Sequence, residues 1–572
     1  MKAILKFAFA VCLASVAGSA SIKAQTVELN GLGSSGLFLE LGLGANDSAG
    51  AINAPCVWSE NTNTVQANDT SVSPTAVDKG SAWVAWTKGT GSTASCSTPG
   101  TGFQVYAYLS TDSVVGNRCL YNANLSTSKC SISYPASTTT SAGLILGTSA
   151  EFGLPATVGT ALNSTSAKVN FAGTDIRPED AEFAITRALT NCGSVVGSST
   201  QYLGLGYKNG GVIDSFFSSS FFNVVNFALP SSFTVTPVGA TPIIVAVNDS
   251  STGGTGLHSF SNIASQNLAD ILDGTSSYTG DVSTIGSTSG LPVYVAIREP
   301  LSGTYNTMEF NVPNRVGTSG GSFATSQDAG LNQLSAQRNC TVTSPWPVPS
   351  TTTSTVLSNP MNIATVSGGA RQRAIGTGQE LSEVVANAHG QTLGYGFWSA
   401  ANFAGFSGST TTSKYYEVDG IDPLGAAGTI PTTSSQLTNV SLATTADGKY
   451  PIWSMLRLVN VGAQNTFVAD LAEAAQTYST GVHLDFVPLD DMEVVRSHFN
   501  PPSQSLTLSN GSGSSAFGSN GAADCNTGET GGDVGGVVIG LNTTGLTQLP
   551  LTESDETYCL NTNASGQTGS RR

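Results

Sequence analysis

Apolar strand-like stretches alternate with helical patterns along most of this 572-residue chain. The clearest predicted strands are residues 105–109, 243–247 and 292–297, and the clearest predicted helices are 263–272, 379–388 and 467–477. This alternation is typical of an α/β fold with largely parallel sheets. The chain is too long for one ordinary hydrophobic core, so we expect two or more lobes.

The N-terminus has the pattern of a secretory signal peptide. Lys2 and Lys6 precede a short apolar run, and small residues ending at Ala20 or Ala24 follow it. An anchor helix is the alternative, but the short run favours cleavage after residues 1–24. We therefore expect a periplasmic or extracellular protein. No later segment has 18 uninterrupted apolar residues, so no further membrane span is predicted.

Eight cysteines remain beyond Cys12, and an even number in an exported chain suggests disulfides. They are Cys56, Cys96, Cys119, Cys130, Cys192, Cys340, Cys525 and Cys559. The pairs Cys119/Cys130 and Cys525/Cys559 are candidates because they are close in sequence, but the sequence leaves the connectivity open. No CxxC pair or Cys/His cluster indicates a metal, so no metal site and no cofactor is predicted.

Acidic residues outnumber basic ones. Without residues 1–24, the chain has 19 basic and 38 acidic residues, a net charge of about −19. This balance argues against nucleic acid and anionic membranes as partners. Residues 45–102 have the composition of a large insertion with Gly/Ser/Thr loops. From Ser503 the chain becomes a Gly/Ser/Asn-rich tail, typical of a loosely docked extension.

Two loops near the N-terminus are rich in hydrogen-bond donors. GLGSSGLF, residues 31–38, offers Ser34, Ser35 and the backbone of Gly36 to a ligand. In YLSTDSVVGNR, residues 108–118, Ser113 follows an apolar strand. Taken alone, the first loop is equally typical of a plain turn, and the second of a helix N-cap.

A third loop, in residues 171–184, contributes a carboxylate. Asp175 lies between an apolar segment and a predicted helix start near Pro178. A simple turn residue is the alternative.

The fourth loop combines a guanidinium with a helix start. An apolar strand leads to Arg298, and Ser302, Gly303 and Thr304 follow where a helix is predicted to begin. Helix N-termini favour anions through their unpaired N–H groups, and arginine matches the geometry of phosphate oxygens. The alternative is a surface arginine beside a Ser/Thr cap. Glu299 is adjacent, and we expect that it could pair with Arg298.

Together the four loops predict an oxyanion site with one unusual feature, the carboxylate. An ionised aspartate accepts hydrogen bonds, so Asp175 suits an anion that still carries a proton. Hydrogen phosphate has such a proton and sulfate does not, so the aspartate is expected to discriminate between them.

The order of these loops resembles that of the periplasmic phosphate-binding proteins of ABC transporters, in the type II periplasmic-binding-protein family. Arg298, Ser302, Gly303 and Thr304 match the Arg-x-x-x-Ser-Gly-Thr motif of that family. Further similar stretches are TPIIVAVN at 241–248, QNLADILDG at 266–274, AIGTG at 374–378, LGYGFWS at 393–399, VDGIDP at 418–423, KYPIW at 449–453 and FVPLDD at 486–491. The match spans residues 31–500, apart from the insertion and the tail.

The resemblance implies an α/β fold of two lobes joined by two or three crossover strands, with the ligand in the cleft between them. It implies lobe I at 25–240 with the 45–102 insertion, lobe II at 241–399, a return to lobe I at 400–502 and a tail at 503–572. It also implies a non-enzymatic monomer that binds inorganic phosphate, or a related protonated oxyanion, for an ABC permease. The implied ligand-binding residues are Ser34, Ser35, Gly36, Ser113, Asp175, Arg298, Ser302, Gly303 and Thr304.

Two other classes of function remain open. An extracellular or envelope protein could keep the fold as a scavenger or structural element without a permease. A phosphatase or other hydrolase would need an activated nucleophile, but none of the four histidines lies in the four loops. We therefore expect no enzyme.

Overall fold

A computed structural model describes part of the chain. The described residues are 25–69, 76–124, 130–145, 150–164, 167–176, 178, 181, 208–209, 212–213, 230, 232–249, 256–273, 293–298, 302–312, 356–362, 370–374, 376–386, 391–408, 411–479, 485–492, 494–496 and 538–540. The predicted signal peptide and nearly all of the predicted tail lie outside them.

The described strands are numbered in chain order. They are β1 Thr26–Ser34, β2 Cys56–Glu60, β3 Gln66–Asp69, β4 Ala76–Lys79, β5 Ala82–Trp86, β6 Gln104–Thr111, β7 Cys130–Ser133, β8 Phe171–Thr174, β9 Lys208–Asn209, β10 Val212–Ile213, β11 Phe233–Asp249, β12 Asn262–Ile263, β13 Tyr294–Arg298, β14 Val356–Asn362, β15 Ala370–Ala374, β16 Gln391–Phe397, β17 Ser413–Tyr415, β18 Glu417–Val418, β19 Trp453–Val461, β20 Val487–Pro488, β21 Val494–Arg496 and β22 Val538–Gly540.

The helices are fewer. They are α1 Phe38–Asn46, α2 Ser113–Asn124, α3 Ala156–Leu162, α4 Ser265–Asp273, α5 Gly303–Asn311, a π-helical segment Gln379–Val385, α6 Ala400–Phe403, α7 Ser434–Leu437, α8 Ala443–Ala446 and α9 Thr466–Ser479. The predicted strands and the helices 263–272 and 467–477 are confirmed with shifted ends, the largest change being that β11 is much longer than predicted. The predicted helix 379–388 is π-helical over Gln379–Val385, and residues 387–388 lie outside the described residues.

The long strand β11 connects two halves of one mixed sheet. The strand order is β14-β15-β13-β16-β11-β19-β8-β1-β6-β5-β2. The first part of β11, Phe233–Pro242, pairs with β19, and the second part of β11, Ile243–Asp249, pairs with β16. Each half has a parallel centre: β1 is parallel to β6 and β8, and β13 is parallel to β15 and β16.

Each half of the sheet is covered on both faces, as parallel strands require. In β6, Val105 and Leu109 belong to one hydrophobic cluster and Tyr106 and Tyr108 to another, because alternate residues point to opposite faces. In β11, Ile244 and Ile243 divide in the same way between the two clusters of the second half. The protein therefore has a two-lobed α/β fold, and the predicted fold class is confirmed.

Three segments run side by side where the lobes join. The N–H of Ile243 donates to the carbonyl of Ile452 (2.8 Å), and the N–H of Trp398 donates to that of Pro242 (2.9 Å). Within the segment 400–502, β17 pairs with the second part of β11, whereas β19 and β20 pair with its first part. The exact domain boundaries stay a prediction.

The predicted insertion 45–102 contains four strands as well as loops. β5 pairs with β6 and β2 pairs with β5, which extends the lobe I sheet. β3 and β4 join β7 in a separate three-stranded sheet of order β4-β3-β7. These strands were not predicted from the sequence, because the insertion has a loop-like composition and its apolar residues are concentrated in short runs such as Val57–Trp58.

Two disulfides are described. Cys119–Cys130 is one of the two candidate pairs from the sequence, and Cys56–Cys96 joins cysteines 40 residues apart that sequence proximity did not suggest. The other candidate pair, Cys525/Cys559, lies outside the described residues. No helix in the described part of the chain is long and apolar enough to cross a membrane.

Candidate functional site

The candidate site lies at the carboxyl ends of parallel strands. β1 ends at Ser34, β6 at Thr111 and β8 at Thr174, so the residues that follow them meet at one edge of the lobe I sheet. β13 of lobe II ends at Arg298 and faces them. In open α/β sheets this edge is where ligands bind.

Asp175 is the centre of the lobe I part. The Ser34 hydroxyl donates to its Oδ2 at 3.3 Å, and the Ser113 hydroxyl donates to its Oδ1. The backbone N–H of Asp175 donates to the Ser113 oxygen at 3.2 Å. The Ser454 hydroxyl donates to the Asp175 carbonyl at 2.6 Å, so a strand of the same half also fixes this turn.

The environment of Asp175 makes it unusually easy to protonate. It is 2% exposed, and this burial raises the pKa of its carboxyl to about 6. Hydrogen bonds from Ser113, its own backbone and Ser34, together with the charge of Arg298, oppose the shift but are outweighed. The carboxylate can therefore exchange a proton near neutral pH.

Arg298 is buried and already held by acidic and hydroxyl groups. Its Nη2 donates to Asp112 Oδ1 at 2.6 Å, and its Nε lies 3.9 Å from Glu380 Oε2. Its Nη1 contacts the Thr377 hydroxyl and lies 3.5 Å from that of Thr304. Glu299, which the sequence offered as its partner, lies outside the described residues.

The N-terminus of α5 closes against Asp175. Ser302 is the N-cap, and its oxygen accepts from the N–H of Tyr305 at 3.3 Å. A Cβ atom on Gly303 would lie 1.5 Å from Asp175 Oδ1 and 2.6 Å from the Ser113 oxygen. Glycine is therefore required here, because any side chain would separate the lobe II helix from the lobe I carboxylate.

The first loop contributes to both lobes. The Ser35 hydroxyl donates to that of Thr377 at 3.2 Å, which links the loop to lobe II. Within the loop, the N–H of Gly36 donates to the Ser34 hydroxyl oxygen at 3.2 Å. The structure thus brings the four predicted loops together around Asp175 and Arg298, although Ser302 forms its hydrogen bonds with residues of α5. The role of the nine predicted residues in ligand binding stays a prediction.

Three further residues of the site were missed from the sequence. Asp112 directly precedes Ser113 in the second donor-rich loop, and a carboxylate beside a predicted anion site was the signal that could have identified it. Thr377 lies in the AIGTG stretch at 374–378, whose likeness to the family assigned no role to the threonine. Glu380 gave no local signal, since its carboxylate is fixed by a hydrogen bond from the distant Tyr395 N–H at 3.0 Å.

Within the described residues, no group of three or more His, Cys, Asp or Glu side chains could hold a metal ion. The arrangement offers hydroxyl donors, one guanidinium and three carboxylates. Such a set can hold an oxyanion, and the excess of carboxylates favours one that brings protons with it.

Neither a protein-family model nor a curated protein matches the chain. Among solved structures, it is similar to a phosphate-binding protein from Stenotrophomonas maltophilia, with 14% identity over 66% of this chain and 77% of that one and a TM-score of 0.29. It is also similar to a human phosphate binding apolipoprotein, with 16% identity over 67% and 84% of the two chains and a TM-score of 0.29.

A third similar structure is the high affinity periplasmic phosphate-binding protein PfluDING bound with phosphate, with 13% identity over 74% of this chain and 89% of that one and a TM-score of 0.28. Identities and TM-scores are low in all three cases. The strand order and the contacts described above, and not these similarities, therefore define the fold and the site.

Proposed function

We propose that this protein is a solute-binding protein that captures inorganic phosphate non-covalently between its two lobes. The observation that carries the proposal is the meeting of Asp175, Arg298 and the N-terminus of α5 at one buried point. A guanidinium and a helix N-terminus attract an oxyanion, and the carboxylate beside them selects one that carries a proton.

Each part of the site has a defined role in this proposal. Asp175 accepts the proton of hydrogen phosphate, and Arg298 pairs with the phosphate oxygens. The remaining donors are hydroxyl and backbone groups. They are Ser34, Ser35, Gly36, Ser113, Ser302, Gly303 and Thr304.

Binding is expected to be coupled to lobe closure, because the donors belong to both lobes. We further propose export to the periplasm or the extracellular space, a monomeric state and delivery of phosphate to an ABC permease. These points rest on residues 1–24 and on the sequence resemblance. No enzymatic activity is proposed; His258, the one histidine among the described residues, lies near Lys414 and Asp249 in lobe II.

Calorimetric titration tests the proposal directly. Protein stripped of phosphate by unfolding and refolding is titrated with phosphate and then with sulfate. Saturable one-site binding of phosphate with no response to sulfate is expected. A chain that binds neither anion would contradict the proposal.

A structural or scavenging protein is the second candidate, and the Arg298–Asp112 ion pair favours it. Contacts such as this ion pair join the lobes without a ligand. They would keep the lobes together in a protein that no longer binds phosphate. Thermal unfolding with and without phosphate separates the two. A binder gains about 2.7 kcal/mol at a hundredfold excess of ligand over Kd, whereas a purely structural protein gains nothing.

A further inference from the structure

Helix α2 determines where Ser113 lies, because Ser113 is its first residue. The helix packs very closely on β1: a Cβ atom on Gly116 would lie 2.7 Å from the Leu32 carbonyl oxygen. The Asn117 side chain also donates to the Ser113 carbonyl at 2.8 Å. A small movement of α2 would therefore move the Ser113 hydroxyl relative to Asp175.

Two consecutive residues of α2 are tied to the three-stranded sheet β4-β3-β7. Arg118 Nη2 lies 3.1 Å from Asp78 Oδ2 on β4, and the side chains are 0% and 2% exposed. Cys119 forms the disulfide with Cys130 on β7. The ion pair reaches β4 and the disulfide reaches β7, the two outer strands of this sheet. The helix is therefore attached to both edges of the sheet.

Most of this sheet comes from the insertion. β3 and β4 lie within residues 45–102, and only β7 follows α2 in the chain. We propose that the sheet β4-β3-β7 positions the binding site, with Asp78 and Cys130 as positioning residues that hold α2 so that the Ser113 hydroxyl stays on Asp175. The consequence for phosphate affinity rests on the proposed function, whereas the consequence for Asp175 itself does not.

The physical basis is the steep distance dependence of hydrogen bonds. The bond from Ser113 stabilises the ionised form of Asp175 and opposes the effect of burial. If α2 loses a tie and shifts, this bond lengthens and the pKa of Asp175 rises further. A sheet that only adds stability would leave the pKa of Asp175 in the folded protein unchanged.

The test compares Asp78→Asn and the double variant Cys119→Ser/Cys130→Ser with a matched control, Cys56→Ser/Cys96→Ser. The control also removes one disulfide that involves the insertion, but that disulfide does not join α2. Ser113→Ala serves as the reference for complete loss of the hydrogen bond. Carbon-13 NMR of labelled aspartate carboxyls gives the pKa of Asp175 in full-length, phosphate-free protein, with Asp175→Asn used for assignment.

Both test variants are expected to raise the pKa of Asp175 in the direction of Ser113→Ala and to weaken phosphate binding about fivefold to tenfold, the effect of one lost hydrogen bond. The control is expected to lose thermal stability and leave both quantities unchanged. An unchanged pKa in the test variants, or an equal rise in the control, would overturn the proposal. If wild-type protein binds no phosphate, the proposed function fails. The pKa comparison still decides whether the sheet β4-β3-β7 positions Ser113 on Asp175.

Removing a buried partner of Arg118 carries a risk of unfolding. Arg118→Lys is the milder variant, because it keeps the charge but loses the planar fork that matches the Asp78 carboxylate. It is expected to raise the pKa of Asp175 less than Asp78→Asn does. An unchanged pKa in folded Arg118→Lys and in the folded disulfide variant would equally overturn the proposal.

Discussion

Arg298 Nη2 lies 2.6 Å from Asp112 Oδ1, and the two residues belong to opposite lobes. The guanidinium that would attract an anion is therefore partly neutralised by the protein itself. A ligand must either share Arg298 with Asp112 or displace it. We therefore expect Asp112 to affect phosphate affinity as well as lobe closure.

Asp112→Asn should tighten phosphate binding about tenfold. The substitution removes one negative charge beside Arg298, while the amide oxygen can still accept the bond from Nη2. Calorimetry measures the change. Asp447→Asn is the control, because it makes the same charge change at a solvent-exposed ion pair with Lys449. Weaker binding by Asp112→Asn would show instead that the ionised carboxylate orients the guanidinium.

Arg298→Ala should weaken phosphate binding by about a hundredfold or more, as expected for loss of a buried charge-assisted pair. Arg298→Lys should fall between this variant and the wild type, because it keeps the charge and loses the fork. Calorimetry gives the affinities, and circular dichroism confirms that each variant is folded. Phosphate affinity that is unchanged in folded Arg298→Ala would remove this residue from the site.

Asp175→Asn should narrow the preference for phosphate over sulfate. In the wild type the preference should also narrow as the pH falls below about 6, because a protonated Asp175 can donate to sulfate instead of repelling it. Competition titrations at several pH values measure the ratio. The variant should show no such pH dependence, and a ratio that is the same in both proteins would reduce Asp175 to a turn residue.

The stability of the phosphate-free protein should depend on the protonation of Asp175. Its pKa is about 6 when folded and about 4 when unfolded, so the folded state holds the proton more tightly. As the pH rises from about 4 to 6, the unfolded chain releases this proton while the folded chain still holds it, and this difference lowers the free energy of unfolding by about 3 kcal/mol. Urea unfolding of wild type and Asp175→Asn across this range isolates the contribution, which only the wild type should show.

Gly303→Ala should abolish tight phosphate binding while each lobe stays folded. The new methyl group would lie 1.5 Å from Asp175 Oδ1, so the N-terminus of α5 would have to withdraw from lobe I. Gly408→Ala is the matched control, since no atom lies within 4 Å of its added Cβ and Gly408 is not one of the predicted ligand-binding residues. Phosphate affinity is measured for both variants. An equal loss of affinity in the two would mean that the clash with Asp175 does not cause the loss in Gly303→Ala.

The sequence was informative where chemistry follows local pattern. Ser34, Ser113 and Asp175 each follow a strand-like run, and their convergence depends only on those strands being parallel and adjacent. Arg298 and Ser302 lie four residues apart around a helix start, which is also a local signal. The α/β class could be predicted from the same kind of local pattern, and the lobes from the length of the chain and the resemblance.

Pairings between distant residues could not be predicted in this way. Asp112 and Arg298 are 186 residues apart, and nothing near either one indicates the other. The Cys56–Cys96 disulfide depends on how the insertion folds, and the strands of the insertion were obscured by its loop-like composition. The length of β11 likewise depends on two partners, β16 and β19, that come much later in the chain.

The position of β19 in the sheet has a consequence for how the chain acquires its structure. β19 lies between β11 and β8, and its Ser454 contacts Asp175 across 279 residues of sequence. Closing so long a loop is entropically unfavourable and slows folding. A growing chain that ends before residue 453 would leave β8 and β11 with exposed edges, which promote association with other chains. A strand synthesised late in the chain is therefore the one that completes the lobe I sheet.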